Sequence, residues 1–151
     1  MERRQAGIAR GVATGLRGAL DIADASPREL VAGFVAAVHA LVDRFPWLPS
    51  IWVREVLTEG GALRELMLSR FAPMIPQALA RRFAAAQSAG KLDPALDPRL
   101  LVVSLVGLTL FPLAAENLWQ RMFPDAGIDH ARLRSHTLAL LENALEARHA
   151  N

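Results

Sequence analysis

Residues 97–115, DPRLLVVSLVGLTLFPLAA, decide the fold class, because they form a helix-length run that is apolar on nearly every side. Asp97 can cap a helix, and Pro98 suits the first helical position. The apolar part, Leu100–Ala115, is shorter than the roughly 20 residues that cross a bilayer, and it contains a proline. We therefore expect a buried helix from Pro98 to about Met122, covered on all its faces by other elements.

The remaining segments also follow helical spacing, and none alternates as a strand does. Ser26-Pro27-Arg28-Glu29 is a helix start in which a capping serine, a first-turn proline and a glutamate three residues after the cap occur together. Gly90 is expected to end a helix in the left-handed conformation. The pattern predicts an all-α bundle of about six helices. Besides the helix after Pro98, these are residues 1–23, Ser26 to Phe45, Ile51–Thr58, Ala62 to Gly90 with a kink at Pro73 and Pro76, and Asp129 to about Arg148.

Length and composition indicate one globular domain. The 151 residues are 52% hydrophobic and 21% charged, which excludes a disordered chain. The net charge is only +2, and the basic residues are spread along the chain instead of forming a nucleic-acid footprint. Cysteine is absent and residues 1–10 do not resemble a secretory signal, so we expect a soluble cytoplasmic protein without a membrane span. Residues 1–23 are expected to form a linking helix, and residues 24–151 the domain proper.

No catalytic motif is visible, so the chain is not expected to be an enzyme or to need a cofactor. His130 and His136 are six residues apart, which places them on different helix faces, and no metal site is predicted. An all-α enzyme would need an acid–base pair such as His39 with Glu55 or with Glu116, and spacing alone supplies no such geometry.

Bulky apolar residues with a few polar groups among them suggest a ligand cavity between the middle helices. Ordinary core packing is the alternative for each of them. Glu116 and Asn117 directly follow the apolar run, and an unpaired buried carboxylate is costly, so they must reach solvent, a partner subunit or a pocket. The candidate wall residues are Phe34, His39, Trp52, Glu55, Met67, Phe71, Met74 and Asn117.

The order of these parts resembles the C-terminal domain of TetR-type transcription regulators. The resemblance rests on Phe71-Ala72-Pro73 through Ala89-Gly90-Lys91-Leu92, then Leu96-Asp97-Pro98, then the apolar helix Leu100–Leu113. The Ser26–Leu30 helix start and the Phe45–Leu48 turn fit the preceding helices of that family. The match covers roughly residues 20–150 and is one of pattern and helix order. The family's DNA-reading helix-turn-helix is not identifiable in these residues.

The resemblance implies a homodimer whose last two long helices form a four-helix interface, and a pocket for a small hydrophobic effector. DNA would then be bound only through a helix-turn-helix that is not in this chain. The surplus apolar surface of the helix after Pro98 independently favours a dimer. A helical protein-interaction or structural module without a pocket is the alternative function. The expected interface residues are Leu101, Leu105, Leu108, Leu133, Leu140, Leu141 and Leu145.

Overall fold

The computed structural model describes residues 24–71 and 74–146, and residues 3, 7, 10, 11, 14 and 16–18 before them. All regular secondary structure in this part is helical, which confirms the all-α prediction. The described residues of the predicted linking helix are helical, but its full extent, the kink position Pro73 and the expected end at Arg148 lie outside the described residues.

Seven α-helical segments follow one another from Pro27 onward, and two of them continue as π-helix. The π-helical stretches, in which the hydrogen bonds run from residue i to i+5, are Trp52–Leu57 after α2 and Met67–Phe71 after α3. The segments are α1 Pro27–Arg44, α2 Leu48–Ile51, α3 Arg64–Leu66, α4 Pro76–Ser88, α5 Pro98–Ala114, α6 Glu116–Met122 and α7 His130–Leu145.

The helix starts and stops read from the sequence are largely confirmed. The Ser26 hydroxyl accepts a hydrogen bond from the Glu29 backbone N–H at 3.2 Å, which caps α1. Gly90 has a φ of 75°, in the left-handed region that ends α4. The Asp97 carboxylate accepts from the Arg99 backbone N–H at 2.8 Å, and the guanidinium and backbone of Arg99 lower the pKa of Asp97 to about 2.

The expected α-helix over Ile51–Thr58 is wrong in its type, because most of it is π-helix. The loop after it folds back on Glu55: the Leu63 backbone N–H donates to the Glu55 carbonyl at 3.2 Å, and the Ala62 N–H to the Glu55 carboxylate at 3.1 Å. A Cβ at Gly61 would collide with the Glu55 carbonyl, so only glycine allows this close approach. Glu55 therefore fastens this turn.

The expected continuous helix from Pro98 to Met122 is also wrong, because it breaks at Ala115 and bends by 69° into α6. In a continuing helix the carbonyl of Pro112 would accept from the N–H of residue 116. It accepts instead from the Trp119 indole N–H at 2.7 Å. Within the described residues no single helix is long and apolar enough to cross a bilayer; two bent pairs, α1 with the α2 segment and α5 with α6, reach that length together, by length and composition only.

The core lies between α1, α4, α5 and α7. α1 packs chiefly against α7, and α4 packs chiefly against α5. Gln87 fastens the loop between α4 and α5, because its side-chain amide donates to the carbonyls of Asp93 (3.0 Å) and Leu96 (2.6 Å). The most deeply buried hydrophobic side chains are Leu30, Val31, Val35, Leu79, Phe83, Leu92 and Leu105.

Candidate functional site

One side of α5 is apolar and uncovered, and we call it the outer face: Leu100, Val103, Gly107, Leu108 and Phe111. The exposed fractions of Leu100, Val103 and Phe111 are 63%, 66% and 69%, and that of Leu108 is 40%. These positions recur every three or four residues, which places them along one side of the helix. Gly107 adds no side chain, and a Cβ there would meet no atom within 4 Å.

Other exposed apolar side chains lie on the helices that follow α5. On α6 and just after it these are Leu118, Met122 and Phe123, and on α7 it is Leu140, 49% exposed. Isolated exposed apolar residues are ordinary, but a contiguous apolar strip of this kind marks an interaction site. The outer face is therefore the feature of this fold that most directly indicates a partner.

The structure divides the predicted interface residues into two groups. Leu108 and Leu140 are exposed, whereas five others are buried within the single chain and offer little surface to a second subunit. Those five are Leu101, Leu105, Leu133, Leu141 and Leu145. Besides Leu108, the apolar residues of α5 available to a second copy are Leu100, Val103 and Phe111, which were not among the predicted interface residues. The two-fold interface itself stays a prediction.

The predicted wall residues lie in several different environments. Phe34 and His39 are buried on α1, Trp52, Glu55 and Met67 are half-buried on the π-helical segments, and Met74 and Asn117 are exposed. The side chain of Phe71 lies outside the described residues. The Arg17 guanidinium lies 3.7 Å from the sulfur of Met74, which joins the first helical segment to the middle of the chain.

An open cleft of about 710 Å³ lies between α6 and the loop that leads into α7. Of the seven predicted wall residues whose side chains the structure describes, Asn117 alone lines it. Its walls are mixed: Trp119, Phe123 and Ile128 are apolar, and Arg121 is charged. This cleft therefore lies at the α6–α7 turn. The pocket that the sequence predicts among the middle helices stays a prediction.

A polar cluster joins three helices beside this cleft. The Nδ1 atom of His130, the first residue of α7, lies 3.3 Å from a carboxylate oxygen of Asp43 on α1. Its Nε2 atom lies 3.1 Å and 3.0 Å from the two carboxylate oxygens of Glu116, the first residue of α6. The His39 ring meets the His130 ring edge to face, with 6.3 Å between centroids. The carboxylate of Glu116 is therefore paired within the chain.

The two histidines of this cluster have pKa values shifted in opposite directions. Hydrogen bonding to Glu116 is the main cause that raises the pKa of His130 above its ordinary 6.5; partial burial opposes it, and Asp43 adds to the rise. Burial is the main cause that lowers the pKa of His39, and the nearby charges of His130 and Arg134 lower it further, while Asp43 opposes. His39 is 2% exposed, and its Nε2 atom has no hydrogen-bond partner among the described residues.

The sequence analysis did not find this cluster. Asp43 lies one helical turn after His39, but Glu116 and His130 are distant in sequence, so no local spacing could have connected them. The sequence did indicate one part of the cluster, because a buried carboxylate at Glu116 is costly without a partner. Among the residues that the structure describes, no group of three or more His, Asp or Glu side chains is arranged to hold a metal ion.

No protein-family model matches the sequence, and no curated protein sequence matches it. Neither comparison therefore assigns the chain to a family. The resemblance to TetR-type regulators stays a prediction from pattern and helix order.

Proposed function

We propose that this chain is an effector-sensing and dimerisation domain of the TetR type, which binds a small hydrophobic ligand and pairs with a second copy of itself. The observation that carries this proposal is the outer face of α5. It is as apolar as the core side of the same helix, yet no element among the described residues covers it. A second copy related by a two-fold axis would bring the same strip against it and remove both from water.

The shape of the outer face suits packing between helices. Leu100, Val103 and Phe111 provide bulk on either side of Gly107, where a partner helix can approach the backbone closely. α7 packs against α5 within the subunit and carries the exposed Leu140, so α5 and α7 together would form each half of the interface. This is the arrangement of last two long helices that the resemblance implies.

The effector would bind among the middle helices, where the backbone departs from α-helix. Two π-helical segments occur close together in sequence, Trp52–Leu57 and Met67–Phe71, and π-helical turns are frequent at functional sites. Trp52 and Met67 are half-buried there, and an aromatic ring and a flexible thioether each suit contact with an apolar ligand of irregular shape. Ligand binding would shift these segments and, in an intact regulator, the spacing of its DNA-reading heads.

Sedimentation velocity tests the dimer. We expect the wild-type chain to be a dimer at micromolar concentration and Phe111→Glu to weaken the dimer about 30-fold or more, because a carboxylate would be buried opposite its own copy. Ala85→Glu, which adds the same charge at an exposed position of α4, is the matched control and should stay dimeric. A monomeric wild-type chain would contradict the proposal.

A thermal-shift screen with small hydrophobic compounds tests the sensing part. A binding compound should raise the melting temperature of the wild type, and Trp52→Ala should lose most of that rise while Trp119→Ala keeps it. If no compound stabilises the chain although it is dimeric, the chain is a helical interaction module without a ligand pocket, which is the alternative function.

A further inference from the structure

The cluster around His130 has a geometry that depends on a proton. Asp43 lies at one ring nitrogen of His130 and Glu116 at the other, at 3.3 Å and 3.0–3.1 Å. A neutral imidazole has one N–H donor and one bare acceptor nitrogen, and only the protonated ring donates from both. Two carboxylates on opposite sides therefore fit the imidazolium, and they leave the neutral ring with a lone pair facing a negative charge.

The position of His130 makes this pairing mechanically relevant. Asp43 is the penultimate residue of α1, Glu116 follows directly on the break after α5, and His130 begins α7. No other ion pair described in the structure joins α1 or α7 to α6. The side chain of His130 thus lies where the bend between α5 and α6 meets the two helices that pack most closely together.

His39 restricts the cluster to one proton. It lies against the His130 ring, is almost fully buried, and faces Arg134 of α7 as well as Asp43 of its own helix. A second positive charge there would be desolvated and close to the first, so the proton is held by His130 while His39 stays neutral. Neighbouring groups with oppositely shifted pKa values divide such roles in this way.

We propose that His130 acts as a proton-dependent latch. Its protonated ring ties the end of α1 to the start of α6 across the start of α7. When the ring loses one proton, this tie is lost and α6 is no longer held at its bend from α5. The released segment carries the exposed Leu118 and Met122 and one wall of the open cleft. The latch is complete within one subunit and does not depend on the proposed dimer.

The sign of the pH effect follows from the two shifts. The pKa of His130 is raised by folding, so its contribution to stability is fully present below 6.5 and is lost as the pH rises through the raised value. The pKa of His39 is lowered by folding, so its contribution is present above 6.5 and is lost as the pH falls towards the lowered value. The bend between α5 and α6 is therefore expected to open as the pH rises. The packing around His39 is expected to weaken as the pH falls.

Histidine NMR titration and amide hydrogen exchange of the full chain test the latch. His130 should titrate above the ordinary histidine pKa of 6.5, and Glu116→Gln, which keeps the shape and removes the charge, should lower the pKa of His130 towards that value. Protection of the amides of α6, corrected for intrinsic exchange, should fall about tenfold when the pH rises through the pKa of His130. His136→Gln is the matched control and should behave as the wild type.

His130→Gln removes the titrating group and should leave α6 protection independent of pH over the same range. The latch is overturned if His130 of the wild type titrates at or below 6.5, or if Glu116→Gln leaves the pKa of His130 unchanged. It is equally overturned if α6 keeps a pH-dependent protection in His130→Gln.

Discussion

The two sides of α5 have almost the same composition and opposite environments. The inner side holds Leu105, which is fully buried, and Thr109, whose hydroxyl donates to the Leu105 carbonyl at 2.6 Å. The outer face, half a turn away, exposes between 40% and 69% of each of its apolar side chains. Since one helix provides both sides, helix propensity is not what distinguishes them. The difference arises from where α1, α4 and α7 pack.

Equally apolar surfaces on one helix therefore contribute to two different equilibria, folding and association. Burial of the inner side stabilises the folded subunit directly, because those side chains leave water when the chain folds. The outer face is buried only in part by folding, and the rest of its apolar surface leaves water only when a partner covers it. Substitutions on the two sides should therefore change different measured quantities: the free energy of unfolding for one and the association constant for the other.

The largest effect is expected from a cavity on the inner side. Leu105→Ala should lower the free energy of unfolding by about 2–5 kcal/mol, because a fully buried leucine leaves both a lost transfer energy and a void. Leu100→Ala, the same change at a 63% exposed position of the outer face, is the control and should cost much less in the isolated subunit. Urea unfolding at low protein concentration measures both. Equal losses would remove the distinction between the two sides.

The next largest effect is expected at the outer face, as a dependence of the melting temperature on protein concentration. If a second copy covers Phe111, the melting temperature of the wild type rises with protein concentration, since association stabilises only the folded state. Phe111→Glu should abolish that dependence while leaving the melting temperature at high dilution nearly unchanged. Calorimetry or circular dichroism over a hundredfold range of dilution measures it. A wild-type melting temperature that is independent of protein concentration would contradict coverage of the outer face by a second copy.

The N-cap of α1 lies on neither side of α5 and provides a reference for the size of these effects. Ser26→Ala removes the oxygen that accepts the Glu29 N–H and should cost about 1 kcal/mol, within the usual range for such caps. Ser135→Ala, at an exposed position inside α7, serves as its control and should be close to neutral. A loss of stability from Ser26→Ala as large as that from Leu105→Ala would mean that the cavity estimate is too high.

The smallest effect is expected from Gly107→Ala, and its sign should differ between the isolated subunit and the dimer. Gly107→Ala places a methyl group where no atom lies within 4 Å, so it should stabilise the subunit by about 0.5–1 kcal/mol through helix propensity. If a partner helix approaches at Gly107, the same methyl group should weaken the dimer. Unfolding at high dilution and sedimentation at high concentration separate the two. A stronger dimer would place the close approach elsewhere.

The starts and stops of the helices could be read from the sequence because they depend on neighbours in the chain. Ser26 with Glu29, Asp97 with Arg99 and Gly90 are each settled within a few residues, so local chemistry determines them. The π-helical turn after Ile51 and the break at Ala115 could not be read in this way. Each depends on a group that returns from elsewhere: the Leu63 N–H on Glu55, and the Trp119 indole on Pro112.

By itself the sequence determined the all-α class, the capped helices and the unusually apolar segment after Pro98. Only the tertiary structure decided which side of that segment stays uncovered, because a helix that is apolar all round has no pattern that marks a core side. Only the tertiary structure brought Asp43, Glu116 and His130 together as well, since charges far apart along the chain meet through packing and not through spacing. Local rules fix how each helix begins and ends, whereas long-range packing fixes what its side chains contact.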